Sequence, residues 1–132
     1  MKLITRDADY ALRALCYIAK NKNKVINAGE LVNKIKIPRP FLRKILQTLN
    51  KKGVLISHKG AGGGFSLAMP GEKILLTDIM SAFQGPLSLN ECSFKKKICP
   101  NRDSCPLRKK IMKIEKGVLS QLRSIRITDI TE

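Results

Sequence analysis

Three of the chain's four cysteines fall close together, as Cys92, Cys99 and Cys105, with six and then five residues between them. A thiolate is a soft donor, suited to zinc, to other soft metals and to iron–sulfur clusters. Two of the three precede proline, as Cys99-Pro100 and Cys105-Pro106, and a residue before proline is held in an extended conformation. Pro106 also suits the first position of a helix, which puts Cys105 at a helix N-terminus, where the dipole favours the thiolate. The plain alternative is that these are ordinary cysteines, because zinc sites more often show pairs two residues apart. Cys16 lies in an apolar-rich stretch and reads as a small core residue. The single histidine, His58, has no cysteine or aspartate beside it and reads as a surface or phosphate-contacting residue. With no Cys-x-x-Cys pair, no second histidine and no cofactor loop, the chain is not expected to be an enzyme.

These thiols belong to a chain of 132 residues with 26 Lys plus Arg against 10 Asp plus Glu, a formal net charge of +16. The length fits one domain, with room for an appendage, and 43% hydrophobic residues suffice for a packed core. Such an excess of positive charge attracts polyanions, nucleic acid first and an anionic membrane surface second. The charge is also concentrated. Between Glu30 and Glu72 there is no acidic residue, while Lys34, Lys36, Arg39, Arg43, Lys44, Lys51, Lys52 and Lys59 all fall inside that window. Basic residues often do no more than solvate a surface, but here the acid-free window coincides with a structural unit. The opening MKLITRDADYALR carries acids and lacks an uninterrupted apolar run, so it reads neither as a signal peptide nor as a membrane span. A cytoplasmic protein with reduced thiols is expected.

Apolar residues at three- and four-residue steps predict a first helix over Arg6–Lys20, with Ala11, Leu12, Leu15, Ile18 and Ala19 on one face. A short second helix is expected from Ala28 to Lys34 with Asn27 as its cap. A third runs from Arg39 to Asn50, entered through Pro38 and Pro40, buried along Phe41, Leu42, Ile45, Leu46 and Leu49, and ended by Gly53. The turn Ile35-Lys36-Ile37 makes the second and third helices a helix-turn-helix, with Arg43, Lys44, Gln47 and Lys51 facing outward. Val54–Ser57 and Phe65–Leu67 read as strands around the glycine-rich tip His58-Lys59-Gly60-Ala61-Gly62-Gly63-Gly64. The expected fold is therefore mostly α with a small β-hairpin wing. In a winged helix-turn-helix the third helix enters the major groove and the wing reaches the neighbouring backbone or minor groove.

A further helix is expected over Thr77–Phe83, capped by Thr77 and stopped by Gly85-Pro86, and then a long loop over 86–105. From Pro106 to about Ile127 the residues Leu107, Ile111, Ile114, Val118, Leu122 and Ile125 step by 4, 3, 4, 4 and 3. That narrow seam suits a partner helix, and helix-turn-helix proteins usually bind as symmetric pairs, so a homodimer is expected. The plain alternative is that the seam packs back on its own domain. The chain divides on this reading into a DNA-binding unit over 1–85, a cysteine-rich loop over 86–105 and a dimerisation helix and tail over 106–132.

Taken together, MKLITRDADYALRAL, FLRKILQTLNKKGVL, SHKGAGGGFSLA and the three-cysteine loop before a long helix resemble the IscR/NsrR-type winged-helix regulators, whose members carry iron–sulfur clusters. The resemblance covers nearly the whole chain. It implies a DNA-binding transcriptional regulator, a repressor, with Cys92, Cys99 and Cys105 as ligands of a two-iron or four-iron cluster. IscR-type members use a histidine three residues after the last cysteine, where this chain has Arg108, which cannot serve. NsrR-type members use an aspartate before Tyr-Ala-Leu-Arg, supplied by the partner subunit, which points to Asp9, with Asp7 next to consider. The six-residue first gap is one longer than the usual five in those members and leaves the cluster type open. The family's DNA contacts match Pro38, Pro40 and Arg43 at the third helix and Lys59 in the wing, and Arg39 and Lys44 join them on the basic helix. IscR-type members carry glutamate where this chain has Arg43, and arginine favours the guanine edge.

Overall fold

The computed structural model describes residues 2–89 and 104–131. Helix α1 spans Arg6–Lys20. The Thr5 hydroxyl accepts from the Ala8 N–H at 3.4 Å, and Asp7 and Asp9 in the first turn suit the positive end of the dipole. Ala8, Ala11, Leu12, Ala14, Leu15 and Ile18 are buried, so α1 forms the central face against which the other elements pack.

Helix α2 covers Ala28–Ile35, and the Asn27 side chain caps it by accepting from the Glu30 N–H at 2.7 Å. It ends at Lys36, which takes a left-handed conformation at φ 54° and ψ 44° and turns the chain toward the next helix. Helix α3 covers Arg39–Lys51, entered through Pro38 and Pro40, and buries Leu42, Ile45, Leu46 and Leu49. Phe41 was expected in that buried row, yet it is 39% exposed. It lies in the first turn, where the Arg6 guanidinium covers its ring at 4.7 Å from the centroid.

Strands β1, Leu55–His58, and β2, Gly64–Leu67, pair antiparallel with Leu55 opposite Leu67 and His58 opposite Gly64. Each sits about one residue from the position read in the sequence. Phe65 also bridges Ile26, the residue before the Asn27 cap, so the wing is tied to the entry of α2. A Cβ on Gly64 would collide with the Ile26 carbonyl, which explains the need for glycine at the root of the wing.

Helix α4 covers Leu76–Gln84 and stops at Gly85, φ 75°. Leu75 occupies the cap position, and Thr77, expected there, is instead inside the helix. The shift follows from long-range pairing: the Leu76 N–H donates to Ile125 at 3.0 Å and the Ile127 N–H donates to Ile74 at 2.9 Å, fixing the chain as extended up to Leu75. Helix α5 covers Pro106–Arg123 and ends four residues short of the expected Ile127, because Ile125–Ile127 is recruited to this pairing and Ile127–Asp129 forms a short 3-10 turn.

The α5 seam divides along its length. Leu122 is buried, and Val118 and Ile125 pack against the core, whereas Leu107 and Ile114 remain 66% and 56% exposed. The C-terminal end of the seam packs on its own domain, as the plain alternative had it, and its N-terminal part is open. Among the described residues, no helix is long and apolar enough to cross a membrane.

Candidate functional site

The basic surface is built on α3 and the wing. Burial of Leu42, Ile45, Leu46 and Leu49 rotates the opposite face outward, and Arg39, Pro40, Arg43, Lys44, Gln47 and Lys51 are exposed there. Pro38 stands exposed at the cap position, so the first turn of α3 offers Pro38, Arg39, Pro40 and Arg43 at its end. Pro40 supplies no N–H, and the φ fixed by its ring suits the start of a helix. Among the described residues, none of Arg39, Arg43, Lys44, Lys51 or Lys59 forms an ion pair; the pairs present are Arg6–Asp7, Arg13–Asp9 and Lys24–Glu30. These five cations of the acid-free window are thus available to an external polyanion.

The wing carries Lys59 at its exposed tip. The tip closes with the Gly63 N–H donating to the Gly60 carbonyl at 3.0 Å, and Gly60 and Gly62 take φ values of 90° and 75° that side chains resist. His58 is exposed and shares a hydrogen bond of 2.8 Å with Ser66 across the strands, which gives it a structural role at the wing.

At the start of α2, Tyr17 donates its hydroxyl to Glu30 at 2.7 Å and Lys24 approaches the same carboxylate at 3.5 Å. The Tyr17 hydrogen bond, aided by the nearby lysines, holds the Glu30 carboxyl below the usual carboxylate range, while the same bond raises the Tyr17 phenol. This group braces α2, and with it the helix-turn-helix, against α1. It carries no sequence signal, since Tyr17 and Glu30 meet only when the helices pack.

The candidate metal ligands are only partly visible. Cys92 and Cys99 lie outside the described residues. Cys105 occupies the cap position of α5, in extended conformation at φ −69° and ψ 112°, half-exposed and making no capping hydrogen bond. Arg108, Lys109 and Lys110 follow within the first turns of α5, so basic residues crowd this end of the helix. Asp9 lies in the first turn of α1 and pairs with Arg13 at 3.0 Å. An exposed pair of this kind contributes about 1 kcal/mol or less, so it opposes ligation by Asp9 only weakly. Among the described residues, no three His, Cys, Asp or Glu side chains gather into a group that could hold a metal ion. Cys16 packs partly against the core with its thiol toward the Ile130 carbonyl at 3.8 Å, and burial raises its pKa while a hydrogen bond with Thr131 lowers it. That fits the core role read from the sequence.

Residues 4–132 match the family described as Rrf2, iron-dependent transcriptional regulator. The chain belongs to the Rrf2 family. A relative from Aquifex aeolicus, named as an HTH-type transcriptional regulator, is 43% identical over 83 residues, which span 63% of this chain and 58% of that one. Among solved structures, the Rrf2-type fold here is similar to CymR (YrzC), the global cysteine regulator of B. subtilis, at a TM-score of 0.83 and 22% identity, covering 99% of this chain and 97% of that one. It is also similar to T. potens IscR, at a TM-score of 0.77 and 21% identity, covering 98% and 85%. The winged-helix architecture, mostly helical with one antiparallel hairpin, is the one expected from the sequence. As an Rrf2 protein the chain is a DNA-binding transcriptional regulator, and its relatives are regulators rather than enzymes.

Proposed function

We propose that the protein is a homodimeric repressor of the cytoplasm that binds a palindromic double-stranded DNA operator and whose binding is modulated by an iron–sulfur cluster. The observation that carries the DNA-binding half is the unpaired, acid-free face of α3 continued by Lys59 in the wing. On this reading Pro38, Arg39, Pro40, Arg43 and Lys44 meet the major groove and its flanking phosphates, with Arg43 reading a base edge and Lys59 gripping the backbone. The open N-terminal part of α5, with Leu107, Met112 and Ile114 exposed, supports pairing with a second copy through that helix. The three-part reading of the chain, 1–85 for DNA, 86–105 for the cofactor and 106–132 for dimerisation, follows from this assignment.

Cys92, Cys99 and Cys105 would hold the cluster, completed by Asp9 of the other subunit. The half-exposed Cys105 thiol at a helix N-terminus beside Arg108, Lys109 and Lys110 is the feature that fits such a group. When bound, the cluster supplies a centre whose redox state and integrity respond to the cell. The chain's own residues convert that into a change of geometry: Cys105 fixes the start of α5, and Asp9 fixes the first turn of the helix on which α3 packs. By linkage, a cluster state that weakens operator binding is itself disfavoured by operator. In anaerobically prepared protein, Cys99→Ala should abolish the visible absorption, and a full cluster in that variant would sink the assignment.

A second reading replaces the cluster with zinc or with a thiol redox switch. It draws support from the likeness to CymR, a cysteine regulator by name, and from the partial solvent access of Cys105. Colourless protein with stoichiometric zinc, or with operator affinity set by thiol oxidation, would favour it.

A further inference from the structure

The cation–aromatic pair at the joint of α1 and α3 is not accounted for by the recognition helix or the wing. Arg6 is the first residue of α1, and its guanidinium lies over the ring of Phe41, the third residue of α3, at 4.7 Å from the centroid. Its side chain remains 61% exposed. A guanidinium stacked through its face keeps its N–H groups in the plane, directed away from the ring, where they can form two hydrogen bonds to one phosphate. The stack also holds the long side chain in place before any ligand arrives, so less of its freedom is lost on binding.

The backbone beneath Arg6 is fixed by a second feature. Gln84, the last residue of α4, accepts from the Thr5 N–H at 3.0 Å and donates to the Leu3 carbonyl at 2.9 Å. This amide clamp pins the segment leading into α1, while Thr5 caps the helix itself. Asp7 lies 3.9 Å from the Arg6 guanidinium. That pair is exposed and weak, and a phosphate with charge and matched geometry can displace it. The other acid of this turn, Asp9, is occupied by Arg13.

We propose that Arg6, stacked on Phe41, is a third point of DNA contact that grips a backbone phosphate beside the recognition helix. The inference rests on α3 and the wing forming the operator-binding surface, and it extends that footprint to the start of α1. Gln84 is a positioning residue, acting through Leu3 and Thr5.

The test is the salt dependence of binding to the operator and to scrambled duplex, for wild type, Arg6→Ala, Phe41→Leu and the double variant, with folding checked by thermal melting. Each Arg6–phosphate contact contributes about 0.9 to the slope of log affinity against log salt, so a dimer should lose about 1.8 in Arg6→Ala. Affinity should fall roughly three- to tenfold, and by the same factor on both duplexes, as expected of a phosphate contact. The loss in the double variant should be smaller than the product of the single losses, because Phe41 acts partly through Arg6. An unchanged slope in Arg6→Ala, or a loss confined to the operator, overturns the proposal. If the wild type itself shows no steep salt dependence, the operator-binding reading of α3 and the wing fails instead.

Discussion

Phe65 of the wing and Ile26, two residues before α2, exchange both of their backbone hydrogen bonds: the Phe65 N–H donates to Ile26 at 2.8 Å and the Ile26 N–H donates to Phe65 at 2.9 Å. This bridge fixes the wing against the helix-turn-helix, so that Lys59 and the α3 cations are presented from one frame. A wing joined only through β1 would swing with the chain.

Gly64 lies beside this bridge, and a Cβ there would meet the Ile26 carbonyl. Gly64→Ala should destabilise the protein by about 1–3 kcal/mol, the usual cost of forcing extra atoms into a packed site, and should weaken operator binding as well. A Cβ on Gly117 meets nothing within 4 Å, and there the substitution to alanine should stabilise α5 by about 1 kcal/mol. Urea unfolding of both variants checks the contrast, and equal effects would contradict the bridge's role.

Arg43 and Lys59 should separate base reading from backbone contact. Arg43→Ala is expected to relax preference at one operator position by about 1–3 kcal/mol, the worth of a bidentate arginine–guanine contact. Lys59→Ala should weaken binding by a similar factor on every duplex. Binding measured across a set of single-base operator variants reads both, and the opposite pattern would reverse the assignment.

The divided seam of α5 predicts two different phenotypes. Leu122→Ala removes a buried side chain and should cost about 2–5 kcal/mol of stability. Ile114→Lys changes an exposed residue and should leave the fold intact while shifting the protein from dimer to monomer, as read by sedimentation. A dimer of unchanged strength in Ile114→Lys would place the interface elsewhere.

The Tyr17–Glu30 bond makes part of the stability depend on pH. Because the folded-state Glu30 pKa is lowered, its contribution is present above the ordinary carboxylate range and is lost as the pH falls through the folded value. Tyr17→Phe should therefore lower stability at neutral pH and narrow the difference between neutral and acidic conditions. Denaturant midpoints at the two pH values test this; an undiminished difference in the variant would assign the pH dependence to other groups.

The helix-turn-helix and the wing were readable because their signals are local. Asn27 at a cap, Pro38 and Pro40 at a helix entry, the apolar row of α3 and the glycines of the wing tip each act within a few residues. What could not be read depends on partners distant in sequence. Phe41 fits an apolar row by spacing, but it lies in the first turn, 39% exposed, with Arg6 over its ring. Thr77 looks like a cap until Ile125 and Ile127 draw the chain before it into an extended pairing. The same pairing shortens α5, and the Gln84 clamp on Leu3 and Thr5 joins residues about eighty positions apart. For the ligand candidates the signals are local too: Pro106 puts Cys105 at a helix N-terminus, and the four-residue spacing of Asp9 and Arg13 on α1 sets up their ion pair.

A cluster held by Cys92, Cys99 and Cys105 should change operator affinity. This is tested most directly by titrating one labelled operator, at fixed salt and without oxygen, with protein whose iron and sulfide have been counted, before and after removal of the metal. The account predicts visible absorption, iron and sulfide in matched amounts, and an affinity that shifts about tenfold or more on removal, equivalent to about 1.4 kcal/mol of coupling. Colourless protein without sulfide, or an affinity indifferent to the loss of a cluster that was present, would contradict it.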